Sequence, residues 1–194
     1  MGGFILLVIL IGVVIFLFKF SRNKKRQRLI IEAESYIQKI KSEKSLLMIT
    51  SHLLLQSNET AFLEERSQLL ETRAVRESKG GFGGIRIMKG VTVGRYAGKS
   101  ESHQEWRVID SGSLTLTNKK ITFDGSKGNR NLSLADIVGC EATLSSIRIS
   151  LDGKSKDVEF PVKNPYIWAS LIQIIRSVKN PLNLEGESLN IELR

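Results

Sequence analysis

The chain has 194 residues, 41% of them hydrophobic and 25% charged, and a formal net charge of +9. That length holds one domain with appendages and excludes a large multidomain enzyme. The single cysteine, Cys140, excludes a disulfide scaffold, and the lack of a second long apolar run excludes a polytopic transporter.

The apolar run comes first in the chain. Gly2 to Phe18 contain no charged or polar side chain. As a helix, Phe4 to Phe20 would be roughly 25 Å long. A basic cluster follows with no acid inside it: Lys19, Arg22, Lys24, Lys25, Arg26 and Arg28. Charge placed after the run, with large residues where a cleavage site would be, argues against a removable signal peptide. No cysteine stands near enough for a lipoprotein anchor, and Leu6 breaks the myristoylation pattern. The sequence therefore predicts a transmembrane anchor over 1–20 and a basic juxtamembrane segment over 21–28. Positive charge stays on the cytoplasmic side. The expected location is thus the cell inner membrane or plasma membrane, single-pass, with the N-terminus outside and the C-terminal domain cytoplasmic. The six cations would meet anionic headgroups. They leave a net charge of only +3 for the rest of the chain, so no nucleic-acid partner is expected.

From Leu29 to Arg76 there is neither Pro nor Gly. Ile30, Ala33, Ile37, Ile40, Leu47 and Leu54 approximate a heptad seam, interrupted at Lys44 and Ser51. This predicts a helical stalk over 29–77. It would break at Ser57-Asn58-Glu59-Thr60 and resume as a second helix from about Thr60 to Arg76, with Phe62, Leu63, Leu69 and Leu70 as its apolar side. Two readings of the stalk stand side by side: a two-helix linker packed on its own domain, or a homo-oligomeric coiled coil. His52 has no second ligand at metal spacing and reads as a packed or surface histidine.

Gly80-Gly-Phe-Gly-Gly84 ends the helical region and reads as a flexible hinge. Beyond it the period changes from about 3.6 to 2. Strands are expected near Ile85–Met88, Val91–Tyr96, Glu105–Ile109, Ser113–Thr117, Lys120–Asp124, Asn131–Leu134, Ile137–Ala142, Ser146–Leu151 and Lys156–Val162. Turn signals separate them at Lys89-Gly90, Asp110-Ser-Gly112, Asp124-Gly125, Lys127-Gly-Asn129 and Asp152-Gly153. Asn164-Pro165 then opens an amphipathic helix whose apolar face holds Ile167, Trp168, Leu171, Ile172, Ile174 and Ile175. Asn180-Pro181 stops it. The fold class is α+β, mainly β: a small antiparallel barrel or bent sandwich over 78–178 capped by a C-terminal helix, with a tail over 179–194.

Gly112-Ser-Leu-Thr-Leu-Thr-Asn-Lys-Lys-Ile-Thr-Phe123 resembles the "G-x-L-x-L-T-N-x-R-L-x-F" strand pair of the GRAM and bacterial pleckstrin-homology-like domains. Asn131-Leu-Ser-Leu-Ala-Asp-Ile137 resembles their "I-x-L-x-D-I" strand. Phe160 and Asn164-Pro-Tyr-Ile-Trp168 match the opening of their last helix, and Gly84-Ile-Arg-Ile-Met-Lys-Gly90 is similar to the lead-in strand of bacterial members. The resemblance covers about Gly80 to Val178 and implies a pleckstrin-homology-like fold. Lys120 stands where the family has Arg. The basic phosphoinositide motif of lipid-binding pleckstrin domains has no counterpart in the first hairpin.

Motifs for chemistry are missing. Gly94 and Gly98 enclose three residues where a P-loop needs four, among strands rather than before a helix. No G-x-S-x-G is present. Cys140 falls in an expected strand and reads as a buried, inert thiol. His103 lies in a polar loop and reads as solvated. No enzyme, cofactor or metal site is expected. The candidate anion or partner site is the basic series Lys119, Lys120, Lys127 and Arg130, spanning one hairpin and its turn. Its bland counterpart is a solvated edge whose lysines discourage sheet pairing. An open strand edge is a further candidate, able to take a peptide by β-augmentation. The expected function is that of a membrane-anchored binding or scaffold protein with a protein or peptide partner. The alternatives are anionic lipid-headgroup sensing and a coiled-coil oligomer.

Overall fold

The computed structural model describes residues 2–88, 91–153 and 156–187, and the side chains of 10–73, 104–153 and 156–187. It opens with one unbroken helix, α1 (Gly2–Glu43). Among the described residues no helix is long and apolar enough to cross a membrane. This overturns the expected single-pass anchor and the placement in an inner or plasma membrane. The apolar run gives way to Lys19, Arg22 and Lys24 within the same helix, short of the roughly 20 residues that a span requires.

The second half of α1 belongs to the domain. Leu29, Ala33, Ile37 and Ile40 are buried, at spacings that place them on one helix face. Leu29 and Ala33 pack on Tyr166, and Ile40 enters the main core. Of the expected seam, Ala33, Ile37 and Ile40 are thus covered by the chain itself, Ile30 and Leu47 are half-buried, and Leu54 is exposed. Lys44, at φ 51°, ends the helix. A strap over 44–60 then crosses to the sheet, tied by Leu46 N–H to the Pro181 carbonyl (3.0 Å) and by Ile49 N–H to the Ala61 carbonyl (2.9 Å).

Seven strands follow: β1 (Ala61–Met88), β2 (Val91–Thr117), β3 (Lys120–Gly125), β4 (Gly128–Ser133), β5 (Ile137–Ala142), β6 (Ser146–Leu151) and β7 (Val158–Pro161). They form one curled, half-closed antiparallel sheet in the order β4-β3-β2-β1-β7-β6-β5. The expected second helix from Thr60 to Arg76 is instead the start of β1. Phe62 is buried in the core at an irregularity of the ladder, and beyond it alternate residues face inward: Glu65 accepts from the Trp168 indole, Ser67 donates to the Pro161 carbonyl (2.7 Å), and Leu69 is buried. Glu64 points to the outer face, under the strap. Helix propensity is a weak preference, and pairing along β2 overrides it.

Other boundaries move for the same reason. The Gly80–Gly84 segment, expected as a hinge, pairs with Gly98–Gly94 inside the β1–β2 ladder. Asp110-Ser-Gly112, expected as a turn, is continuous strand. The expected Lys89-Gly90 turn and the His103 side chain lie outside the described residues. From β3 to β7 the strands stand where their alternation placed them, and the 3₁₀ turn Leu134–Asp136 joins β4 to β5.

The last helix, α2 (Pro165–Ser177), covers the end of the half-barrel. Asn164 caps it, accepting from the amides of Tyr166 (3.1 Å) and Ile167 (3.3 Å). The same side chain donates to the Leu29 carbonyl and to Glu32, both at 3.0 Å. One residue therefore satisfies the orphan donors of α2 and joins it to α1. Trp168, Leu171, Ile172, Ile174 and Ile175 are buried, each worth about 1.5–3 kcal/mol on removal from water.

Candidate functional site

The basic series from the sequence does not converge. Lys119 and Lys120 sit at one end of β3, and Lys127 sits beyond its other end, about 17 Å away at 3.3 Å per residue. Each cation already has a partner. Lys119 donates to the Ser57 carbonyl (3.4 Å), and Lys120 pairs with Glu59 (3.5 Å), whose side chain is 1% exposed. Lys127 donates to the Ile109 carbonyl (2.8 Å), and Arg130 pairs with Glu71 (3.5 Å). Burial opposes the charge on Glu59, but hydrogen bonds from Thr117 and the Gln56 amide, with Lys120, bring its pKa below the ordinary value. These cations hold the strap and the hairpins in place.

The strap carries one titratable clasp. His52 Nδ1 meets Glu64 at 2.6 Å and its Nε2 meets Asp124 at 3.4 Å, while Ser51 also donates to Glu64. The hydrogen bond to Glu64 raises the pKa of His52, with a further push from Asp124. Burial resists the charge on Glu64, yet the bonds from Ser51 and His52 lower its pKa. The raised histidine stabilises the fold fully below its unfolded value of 6.5 and loses that contribution as pH rises through the folded value. The lowered Glu64 contributes above 4.5 and is lost as pH falls further. The clasp is therefore tightest between these values. Thermal melts of the wild type and His52→Gln should differ most near pH 5–6 and converge toward about pH 8; an unchanged difference across that range would refute the clasp.

The cations of α1 behave differently. Lys19, Arg22 and Arg26, with Asn23, lie on one stripe of the helix and line a cavity of about 470 Å³ against Glu141, Ala142, Thr143, Leu144 and Tyr166. Lys24, Lys25 and Arg28 are exposed on the remaining faces. Among the described residues, Lys19, Arg22, Arg26 and Arg176 form no ion pair.

That cavity continues into a groove of about 740 Å³ between β5 and α2. One wall is Val138 to Ala142. The other is α2, through Tyr166, Ala169, Ile172, Gln173 and Arg176, and Arg26 stands where the two cavities meet. β5 is an end strand of the sheet. Its ladder with β6 shows which backbone groups are free. Thr143 N–H bonds the Ser146 carbonyl (2.8 Å), and the pairs Glu141–Arg148 and Gly139–Ser150 continue that alternation. The intervening residues, Cys140 and Ala142, therefore point their N–H and C=O away from β6. Among the described residues these groups have no hydrogen-bond partner. Val138, beside them, is 65% exposed.

Cys140 lies at the groove floor. Burial pushes its thiol up to about 11 against a smaller opposing effect of Arg176, which favours the protonated form at neutral pH; the residue is half-buried, where the sequence suggested a buried one. Glu141 projects to the other face and pairs with Arg148 (3.1 Å), which also meets Glu159 (3.3 Å) and stacks over Trp106 at 5.0 Å. A further cavity of about 330 Å³ opens at the mouth of the half-barrel, floored by Leu69, Leu132, Leu151 and Phe160. Its Arg130 is occupied by Glu71, so it offers mainly an extension of the core.

Sequence reasoning had raised an open edge but named no strand. Two signals were present: the small residues Gly139, Cys140 and Ala142 in β5, and the spacing of Lys19, Arg22 and Arg26. The groove itself depends on where α1 and α2 dock, which no local pattern reports. No protein-family model, curated protein or solved structure matches the chain.

Proposed function

We propose that this chain is a binding module that takes an extended peptide as an added strand on β5, in the groove walled by α2. The observation that carries the reading is the pair of outward, unpartnered backbone positions at Cys140 and Ala142 beside a walled groove. Main-chain bonds supply affinity in such a mode, and pockets for alternate side chains supply selectivity. The other end strand of the sheet, β4, presents Asn129, Arg130 and Asn131 exposed. The resemblance to GRAM and pleckstrin-homology-like domains belongs to the same reading, supported by the strand order and the capping α2. No chemistry is assigned to the module.

The test uses peptides selected by display against the full chain. Binding of the tightest selected peptide should slow amide exchange at Cys140 and Ala142. Ala142→Pro removes one outward N–H while leaving the inner ladder untouched. It should weaken that peptide by about tenfold, the scale of one backbone hydrogen bond, with far-UV circular dichroism unchanged. Protection confined to other strands, or full affinity in Ala142→Pro, would overturn the reading.

A further inference from the structure

The groove is charged in a way that a neutral peptide would not use. Arg176 stands beside Cys140 at one end of it, close enough to act on the thiol. Arg26 stands at the other end, and Arg22 and Lys19 continue the line past the β5–β6 turn. The acid in the lining, Glu141, is 67% exposed and paired with Arg148. The four cations form no ion pair among the described residues, Arg22 lying over the Phe18 ring at 5.9 Å, whereas Lys120 and Arg130 of the basic series near β3 are ion-paired and Lys119 and Lys127 bond backbone carbonyls. Cations held on an exposed stripe beside a free strand edge repel one another and favour an anionic occupant.

We infer that the partner is an acidic peptide segment: an extended stretch pairs with β5, and its acidic residues lie against Arg176 at one end and Arg26, Arg22 and Lys19 at the other. This rests on the β5 reading and names the partner's chemistry. The alternation of a strand sends every second side chain to the same face. A peptide whose groove-facing positions are small and apolar at the centre and glutamate toward both ends therefore sets its apolar side chains along Ala169 and the β5 face and its acids toward Arg176 and Arg26. The cavity of about 470 Å³ beyond Ala142 leaves room for further acids against the α1 stripe. The basic segment of α1 is then a recognition surface for a protein.

The experiment measures fluorescence anisotropy of three labelled decapeptides with the full chain, each a serine–valine alternation in which the valines nearest the two ends are replaced by glutamate, by serine or by lysine. The glutamate peptide is expected to bind about tenfold or more tighter than the lysine peptide at low salt, the gap closing as salt rises. The triple variant Lys19→Glu, Arg22→Glu, Arg26→Glu touches only exposed side chains, so its fold should be intact. It should reverse the order of the glutamate and lysine peptides. Ala142→Pro separates the two levels of the argument. If it weakens all three peptides while they bind alike, the edge reading stands and the acidic partner is refuted. If it weakens none, the edge reading itself has failed. Phosphatidylglycerol vesicles binding through the same three cations, with no binding of the glutamate peptide, would overturn the inference in favour of a lipid surface.

Discussion

Phe160→Ala is expected to cost about 3–5 kcal/mol of folding stability, the range for removing a fully buried aromatic ring. Phe160 is completely buried in β7 and meets Phe123 of β3, ring centroids 5.7 Å apart and tilted by 37°. In the sheet order two strands, β2 and β1, separate β3 from β7. The ring pair therefore reaches across the concave interior and holds the curl of the sheet from inside. About 0.5–1.5 kcal/mol of the loss is the aromatic pair itself, beyond buried area. The hole would also open into the 330 Å³ cavity whose wall Phe160 forms, so the ring's neighbours would lose packing rather than close over it. Chemical denaturation should show a lower midpoint with an unchanged slope. A loss below about 1 kcal/mol would mean that the rings do not bear on the curl. Phe160→Leu, which keeps most of the volume, should cost clearly less.

Gly112→Ala is the second large effect, and its cause is backbone contact. Gly112 of β2 pairs with Gly125 of β3. A Cβ at Gly112 would lie 2.0 Å from the Asp124 carbonyl oxygen and 2.7 Å from Gly125 Cα. A flexible side chain could swing away; a paired strand cannot. The expected cost lies at the upper end of the roughly 1–3 kcal/mol typical of overpacking. The close approach has a use. It brings Asp110 under the next turn, where its carboxylate accepts from the Ser111 amide (2.8 Å), the Ser126 hydroxyl (2.7 Å) and the Lys127 amide (2.8 Å). Gly139→Ala is the control, because there a Cβ would make only ordinary contact with Ser150 at 3.5 Å. Equal midpoints for Gly112→Ala and Gly139→Ala in the same denaturation would refute the argument.

The residues from Lys120 to Ser177 were legible because short local signals agree there. Alternation marks each strand, Gly128 and Gly153 supply positive φ beside turns, and Asn164-Pro165 starts α2 with a cap that the structure reproduces. The region from Thr60 to Arg76 was misread because Phe62, Leu63, Leu69 and Leu70, two pairs seven residues apart, fit a helix face, whereas in the strand the members of each pair take opposite sides and the ladder is irregular at both pairs. Only the distant partner β2 decides between them, and nothing within the segment reports it. The long β1–β2 ladder was divided for a related reason, since glycines and Asp110-Ser-Gly112 look like punctuation in one dimension. The apolar run at the start of α1 was read as a span from its helical length of roughly 25 Å and its basic flank, whereas no helix among the described residues is long and apolar enough to cross a membrane. The candidate site was visible only in fragments. The cations of α1 were noticed as a cluster, but their division into a stripe facing β5 and a remainder facing away follows from how α1 docks.

That docking makes helical phase a determinant of recognition. Leu29, Ala33, Ile37 and Ile40 are gripped by the domain, so α1 cannot turn about its axis without unpacking the core. Because Gly2–Glu43 is one helix, the angular position of Lys19, Arg22 and Arg26 is inherited from residues one or more turns further on. A single residue inserted after Arg28 would rotate the stripe by about 100° and aim it away from β5, whereas a seven-residue insertion would restore the angle but lift the stripe by about 10 Å. The spacing between the core-facing and groove-facing parts of α1 is thus constrained in two coordinates at once, rotation and height, although the residues between them touch neither.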